Sequence, residues 1–237
     1  MKYGARLDEF WLGKWGRIQF YQWLNPNERG QNFTQGTIDW LANFINAGDT
    51  VIDIGAYTGD TAIPMAVAAG KTGTVHAFEP NPAALEVLMQ NATLNPDIAS
   101  IIVYPYAIGT TRGDAVFRYH AEQINGGFLT EGAPVPVKRV RLDECDITGR
   151  ISFVKFDTEG EDGVLLAEFN NWLSLRKPVV QVERFPHLNE CQVKQLWKAI
   201  DTYGIPSMEG DWNFSRLMSL PDVLCNIMVR PYVGVCV

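Results

Sequence analysis

Apolar and polar positions along this chain switch repeatedly between two periods, and the switches outline its elements. Val51, Ile52 and Ile54 make a short β-branched run set between Asp49-Thr50 and the glycines Gly55 and Gly59. Such a run, bounded by turn residues, reads as a strand covered on both faces. Similar runs occupy residues 74–78, 101–104, 151–156, 179–182 and 224–229. Between them the spacing lengthens. Ile38, Leu41, Phe44 and Ile45 recur at helical intervals within 34–45, and helical patterns follow at 61–69, 83–94, 164–172 and 193–203. Pro64 falls in a first helical turn, where proline is tolerated. The glycine-rich stretch 107–136 holds a short alternating piece at 115–119, and 137–142 alternates as an edge strand would. Strands and helices thus take turns at short intervals, with no repeat and no low-complexity linker. That pattern predicts an α/β fold, one doubly wound parallel sheet with helices on both faces.

Residues 1–30 differ from the domain expected over 31–237. They carry Phe10, Trp11, Trp15, Phe20, Tyr21 and Trp23, and they close on a polar turn at 25–30. Two readings stand: a helix or arm packed on the main domain, or an aromatic flap over a substrate, since aromatic faces stack on sugars and rings. Hydrophobic residues make up 46% of the chain and charged residues 20%, which excludes disorder. A formal net charge of −7 argues against broad binding to nucleic acid or to anionic membrane. No apolar run approaches the roughly 20 residues that span a bilayer, and the N-terminus has no apolar signal region, so a cytoplasmic protein is expected. Cys145, Cys191, Cys225 and Cys236 are scattered without a CxxC pair, and His76, His120 and His187 do not cluster near them. That usage suits reduced thiols rather than a zinc site.

The chemistry gathers at strand ends. Asp53, Glu79, Asp157 and Glu183 each stand at the close of a predicted strand. Parallel strands bring their carboxyl ends to one edge, so these acids should meet in one cleft. A row of carboxylates is costly to assemble unless a cationic or hydroxyl-rich ligand binds there. Glu79, at the end of the second strand, is placed to accept hydrogen bonds from a ribose, or else merely caps the helix opening at Pro80. Gly55 and Gly59 let the chain turn sharply into the next helix, whose first turn Asp60 and Thr61 suit. The spacing D-x-G-x-x-x-G lacks the G-x-G-x-x-G that brings a pyrophosphate to a helix N-terminus. It suits a nucleoside without phosphate, such as S-adenosylmethionine, over the cofactor of a nucleotide-dependent oxidoreductase.

With these residues in place, the chain resembles the FkbM family of S-adenosylmethionine-dependent methyltransferases. The likeness is carried by VIDIGAYTGDTAIPMA (51–66), GTVHAFEPNP (73–82), the pair Asn91 and Asn95, and AIG (107–109). It continues through VRLDE (140–144), ISFVKFDTEGEDGVLL (151–166) and VVQVE (179–183). The resemblance implies a class I methyltransferase fold, a Rossmann-like three-layer sandwich whose seven-stranded, mostly parallel sheet has an antiparallel last strand. It implies methyl transfer to oxygen, commonly a hydroxyl of a sugar, glycan or natural product. Carried over, Asp53, Gly55 and Gly59, with Tyr57 in the same turn, would line the methionine moiety. Glu79 would hold the ribose, and Asn81 and the Tyr106-Ala107 region would lie near the adenine.

An alcohol is a poor nucleophile at neutral pH, so a base or a metal should assist its attack. Asp157, Glu159 and Glu183 are the candidates. Asp157 and Glu183 would ligate Mg²⁺ or a similar hard cation, or one carboxylate acts alone as base with His120 or His187 nearby. Glu159 has the alternative of capping the helix after Gly160. Lys155 reads as structural, paired with an acid, and Arg141, Asp143 and Glu144 as fixing the edge strand and its turn. The acceptor should be chosen by the N-terminal arm and residues 109–136. A methyltransferase acting on a non-sugar small molecule and a cofactor-binding module that has lost catalysis are the remaining alternatives. Nothing in the sequence sets an oligomeric state.

Overall fold

The structure, a computed structural model, describes residues 3–119, 126–127, 133–185, 188–207 and 225–232. His120 and His187 lie outside the described residues, as does much of 109–136. The chain opens with β1 (Ala5–Trp11) and β2 (Arg17–Trp23), then α1 (Gln35–Leu41), β3 (Thr50–Ile54), α2 (Ala62–Ala69), β4 (Thr74–Phe78), α3 (Pro82–Leu94) and β5 (Ser100–Tyr104). The short strands β6 (Tyr106–Ile108), β7 (Gly113–Tyr119), β8 (Gly126–Gly127) and β9 (Ala133–Val140) follow. The last part comprises β10 (Ile151–Phe156), α4 (Asp162–Glu168), α5 (Asn170–Arg176), β11 (Val179–Arg184), α6 (Glu190–Tyr203), β12 (Gly204–Ser207) and β13 (Cys225–Pro231).

The main sheet has seven strands in the order β12-β13-β11-β10-β3-β4-β5. From β11 to β5 the pairings are parallel, and β13 lies antiparallel to both of its neighbours. This is the expected architecture, with the reversed last strand inserted beside β11. Every residue of β3 and of β10 is buried, as strands sandwiched between helix layers require. Phe156, Leu166, Val182 and Ile200 belong to the core on one face, and Val51, Ile63, Val75 and Phe153 to the core on the other. The strand order reverses between β3 and β10, and that is where a crevice opens at the carboxyl ends of an open α/β sheet.

Four elements differ from the sequence expectation. The N-terminal residues form a β-hairpin rather than a helix, with Leu7 opposite Tyr21 and Glu9 opposite Gln19. Along β2, Ile18, Phe20 and Gln22 are buried while Arg17, Gln19 and Tyr21 are less so, a period of two that the aromatic richness obscured. The alternating residues near 137–142 are not an edge strand. β9 lies inside a separate four-stranded sheet of order β6-β9-β7-β8, and Leu142 already starts a 3₁₀ turn. β12 was not expected as a strand. Its Pro206 removes a backbone donor, which is tolerated because β12 is at the sheet edge. The helix expected at 164–172 is two helices that meet at the buried Phe169.

The hairpin is fastened to α3 by two asparagine side chains. Asn91 accepts from the Tyr21 N–H at 2.6 Å and donates to the Tyr21 and Thr58 carbonyls at 3.2 and 2.8 Å. Asn95 accepts from the Gln19 N–H and donates to the Gln19 carbonyl, both at 2.8 Å. Positions i and i+4 of a helix rise about 6 Å, close to the roughly 6.7 Å between alternate strand residues, so two amides on one helix face satisfy one strand edge. At the hairpin tip Trp15 Nε1 donates to Asp39 of α1 at 2.8 Å. Among the described residues no helix is long and apolar enough to cross a membrane.

Candidate active site

The carboxyl ends of β3, β4, β10 and β11 surround a cavity of about 380 Å³, within the ordinary range for a small-ligand site. Its floor is the turn after β3. Gly55 has φ 82°, and a Cβ there would stand 1.9 Å from the Asp157 carbonyl oxygen. Only glycine allows β3 and β10 to close up at this point. Strand pairing then continues into the site. The Asp157 N–H donates to Ile54 O at 3.0 Å, the Gly55 and Ala56 N–H groups to Phe78 O at 3.0 Å, and the Glu79 N–H to Tyr104 O at 3.1 Å.

Of the residues marked by sequence, Gly55, Tyr57, Glu79, Asn81, Ala107, Asp157, Glu159 and Glu183 line this cavity. Asp53 and Gly59 do not. β3 runs one residue beyond Asp53, and alternation sends the Asp53 side chain beneath the turn, fully buried. There its Oδ2 accepts from Thr61 Oγ at 2.7 Å, and its Oδ1 lies 3.6 Å from Lys155 Nζ. Gly59 has φ 94° and faces Leu88 and Asn91, so it lets α3 approach the turn. None of the N-terminal aromatics among the described residues lines the cavity, although Trp23 packs 6.0 Å from the ring of Tyr57, which does. Phe10 and Phe20 pack edge-on against Phe33 at 5.0 and 4.9 Å, while the following segment brings Glu28, Arg29 and Gln31 to the rim.

Two non-glycine residues of the cavity hold left-handed backbone, Tyr57 at φ 47° and Glu159 at φ 57°. Each such residue costs about 1–3 kcal/mol and must be held in place. Tyr57 is held at both ends. Its N–H donates to Glu79 Oε2 at 2.8 Å and its hydroxyl donates to Glu28 Oε2 at 2.7 Å. Glu79 Oε1 also accepts from the Asn81 N–H at 2.6 Å. Burial nevertheless pushes Glu79 up to about 7, because the two backbone donors do not fully replace water.

Lys155, 3% exposed, sits at the centre of the acids. Its Nζ lies 2.8 Å from Asp157 Oδ2 and 3.5 Å from Gly55 O. Burial opposes its charge, but Asp157, Asp53 and Asp60 together outweigh that and hold it protonated. The other acids bear the remaining cost. Burial, then the charges of Asp157 and Asp162, raises Glu159 to about 7, and its Oε2 has no hydrogen-bond partner. Glu183 rises to about 9 through burial and the charges of Asp157, Asp162 and Glu159, and its side chain hydrogen-bonds to Asp157. Asp60 rises to about 7, chiefly through burial.

Sequence reasoning missed several of these groups. Asp60 reads in the sequence only as a helix-start residue. Glu28 and Arg29 sit in a loop whose approach to the site depends on the hairpin. Asp162 was seen only as part of a motif. Its carboxylate accepts from the Thr158 N–H and hydroxyl and from the Glu183 N–H at 2.7 Å, which ties the turn after β10 to the end of β11. Burial places Asp162 at about 6.

The expected Mg²⁺ ligands are not arranged to hold a metal ion. Asp157 is engaged by Lys155 at 2.8 Å, and no group of three or more His, Cys, Asp or Glu side chains among the described residues is arranged to hold a metal. The arrangement suits a ligand that is itself cationic or rich in hydroxyls, set against a wall of carboxylates in which Arg29 is the one basic residue among those described.

Comparison with known proteins bears on this geometry. The family model described as Methyltransferase FkbM domain matches residues 53–201. No curated protein matches the chain. A solved structure assigned as an rRNA-methylase from Clostridium thermocellum superposes with a TM-score of 0.54 at 13% identity, covering 84% of this chain and 96% of that one. Methyltransferase FkbM from Methylobacillus flagellatus KT superposes with a TM-score of 0.51 at 14% identity. That match covers 81% of this chain and 50% of the other, so this chain spans about half its length. At these identities the solved structures speak for the fold.

Proposed function

Because the chain belongs to the FkbM methyltransferase family, we propose that its acidic cavity presents a hydroxyl oxygen of a sugar, glycan or hydroxylated natural product for methylation. The donor of this family of enzymes is S-adenosylmethionine, which supplies a sulfonium-activated methyl group when bound. The residues present fit it. Glu79 has lone pairs left over from its two backbone donors for ribose hydroxyls, Phe78, Ile108 and Phe117 offer apolar walls to an adenine ring, and the surrounding acids favour a net positive ligand.

The reading rests chiefly on Glu159. It lines the cavity, one of its oxygens is unpartnered, and its pKa of about 7 makes it an effective base at neutral pH. Glu159 would take the proton of the acceptor hydroxyl, with the methyl group supplied by bound S-adenosylmethionine, which leaves as S-adenosylhomocysteine. Asp157 and Glu183 orient the hydroxyl through their remaining oxygens, and Lys155 holds Asp157 in place. Alignment is the remaining task of the site, and a preset turn performs it. Ribosomal RNA, the substrate class of the Clostridium neighbour, is disfavoured by the carboxylate-lined mouth and the net charge of −7.

The test is Glu159→Gln, assayed by S-adenosylhomocysteine release over a panel of neutral glycosides and polyols. We expect kcat to fall about 10²–10⁴-fold with cofactor affinity retained, and kcat/KM of the parent enzyme to rise with pH through about 7. An unchanged kcat in Glu159→Gln would remove Glu159 from the mechanism.

A further inference from the structure

A second cavity, of about 420 Å³, lies on the α1/α2 face of the sheet and meets the first at one residue, Asp60. Its walls are chemically distinct from those of the cofactor chamber. Trp40 and Thr37 of α1 line one side, Thr61 and Met65 the helix that starts from the glycine turn, and Gln181 and Asn226 the sheet. Asp60 is the one ionisable group among the described lining residues, and no basic residue accompanies it.

Two observations mark this cavity as a site rather than a packing gap. Gln181 stands on the face of β11 with only 8% of its surface exposed, yet its side-chain amide makes no hydrogen bond among the described residues while lining the cavity. Its polar atoms are open to the cavity, where the hydroxyls of a ligand can pair with both the donor and the acceptor of the amide. Asp60, at the shared boundary, likewise makes no hydrogen bond among the described residues and faces both cavities.

We infer that this second cavity is the acceptor subsite, and that it takes an uncharged saccharide. The inference rests on the hydroxyl-acceptor reading above and adds where the acceptor lies and which class it belongs to. The amides of Gln181 and Asn226 donate to and accept from ring hydroxyls. Trp40 offers an apolar face to the C–H side of a pyranose. The Asp60 carboxylate accepts a hydrogen bond from a hydroxyl directed toward the cofactor chamber. A phosphorylated or nucleotide-linked sugar would bring negative charge to Asp60 with no cation among the described lining residues to receive it. No bond changes in this cavity, whose task is to hold and select.

The experiment is saturation-transfer NMR on the full chain loaded with S-adenosylhomocysteine. The probes are neutral methyl glycosides of gluco, manno, galacto and fuco configuration, with glucose 6-phosphate as the charged counterpart. At least one neutral glycoside should bind and the phosphate should not. Gln181→Leu, close in shape, and Trp40→Ala should each weaken the glycoside about tenfold, the loss of one or two contacts. Calorimetry should find S-adenosylhomocysteine affinity unchanged in both variants, which establishes that they are folded. Glycoside binding undiminished in both variants would overturn the subsite and leave the sugar reading standing. Equal binding of glucose 6-phosphate would overturn the uncharged class. Wild-type protein that binds S-adenosylhomocysteine but none of the glycosides would remove the sugar reading, and the subsite with it.

Discussion

The Glu79 carboxylate accepts hydrogen bonds from the N–H groups of Tyr57 and Asn81, so it builds the rim of the acidic cavity as well as lining it. Glu79→Ala therefore strands two buried donors and releases Tyr57, whose left-handed backbone depends on that anchor. We expect affinity for S-adenosylhomocysteine to fall at least about tenfold and stability to drop about 1–3 kcal/mol, read by calorimetry and urea unfolding. Unchanged affinity would mean that Glu79 is only a turn-former. Glu79, Asp157 and Glu183 were legible in the sequence because a strand end fixes where a side chain arrives. Asp53 was misplaced by a single residue of strand length, enough to turn it from the cavity to a position beside Lys155. Asp60 and Glu28 carried no local signal. Their place depends on loops and on the hairpin, which come together only through tertiary packing.

At the scale of elements, α3 does more than cover the sheet. Asn91 joins three pieces: the edge of β2, the Thr58 carbonyl in the turn after β3, and the helix itself. Asn95, one turn further and partly exposed, joins only β2. The two variants should therefore differ. Asn91→Leu leaves the Tyr21 N–H and the Thr58 carbonyl without partners, at about 1–3 kcal/mol each, and loosens the turn after β3. Asn95→Leu should free the hairpin while leaving cofactor affinity nearly intact. Limited proteolysis reads the first effect and calorimetry the second. Equal losses of affinity in the two variants would contradict this division. The helix–strand alternation made α3 visible in sequence, and the pair Asn91 and Asn95 was noticed, but its partner strand was concealed by an aromatic-rich segment that reads equally well as a helix.

The whole molecule sets a charge balance that the cofactor must change. Glu79, Glu159 and Asp60 rise to about 7, Asp162 to about 6 and Glu183 to about 9. All five lie above the usual carboxylate range of about 4. The folded protein thus binds more protons than the unfolded chain between about pH 4 and those values, so the stability tied to these acids is full below about 4 and is lost as pH rises through 6 to 9. A cation in the chamber reverses this, because it favours the ionised carboxylates and drives protons out. S-adenosylmethionine carries a sulfonium charge that S-adenosylhomocysteine lacks, which isolates the effect. Affinity for S-adenosylmethionine should increase as pH rises from 6 to 9, with protons released on binding, and affinity for S-adenosylhomocysteine should change much less. Calorimetry in two buffers of different ionisation enthalpy measures the proton count directly. If both ligands gave the same pH profile, the raised acids would not sense the sulfonium, and the electrostatic reason for gathering them around this cavity would fail.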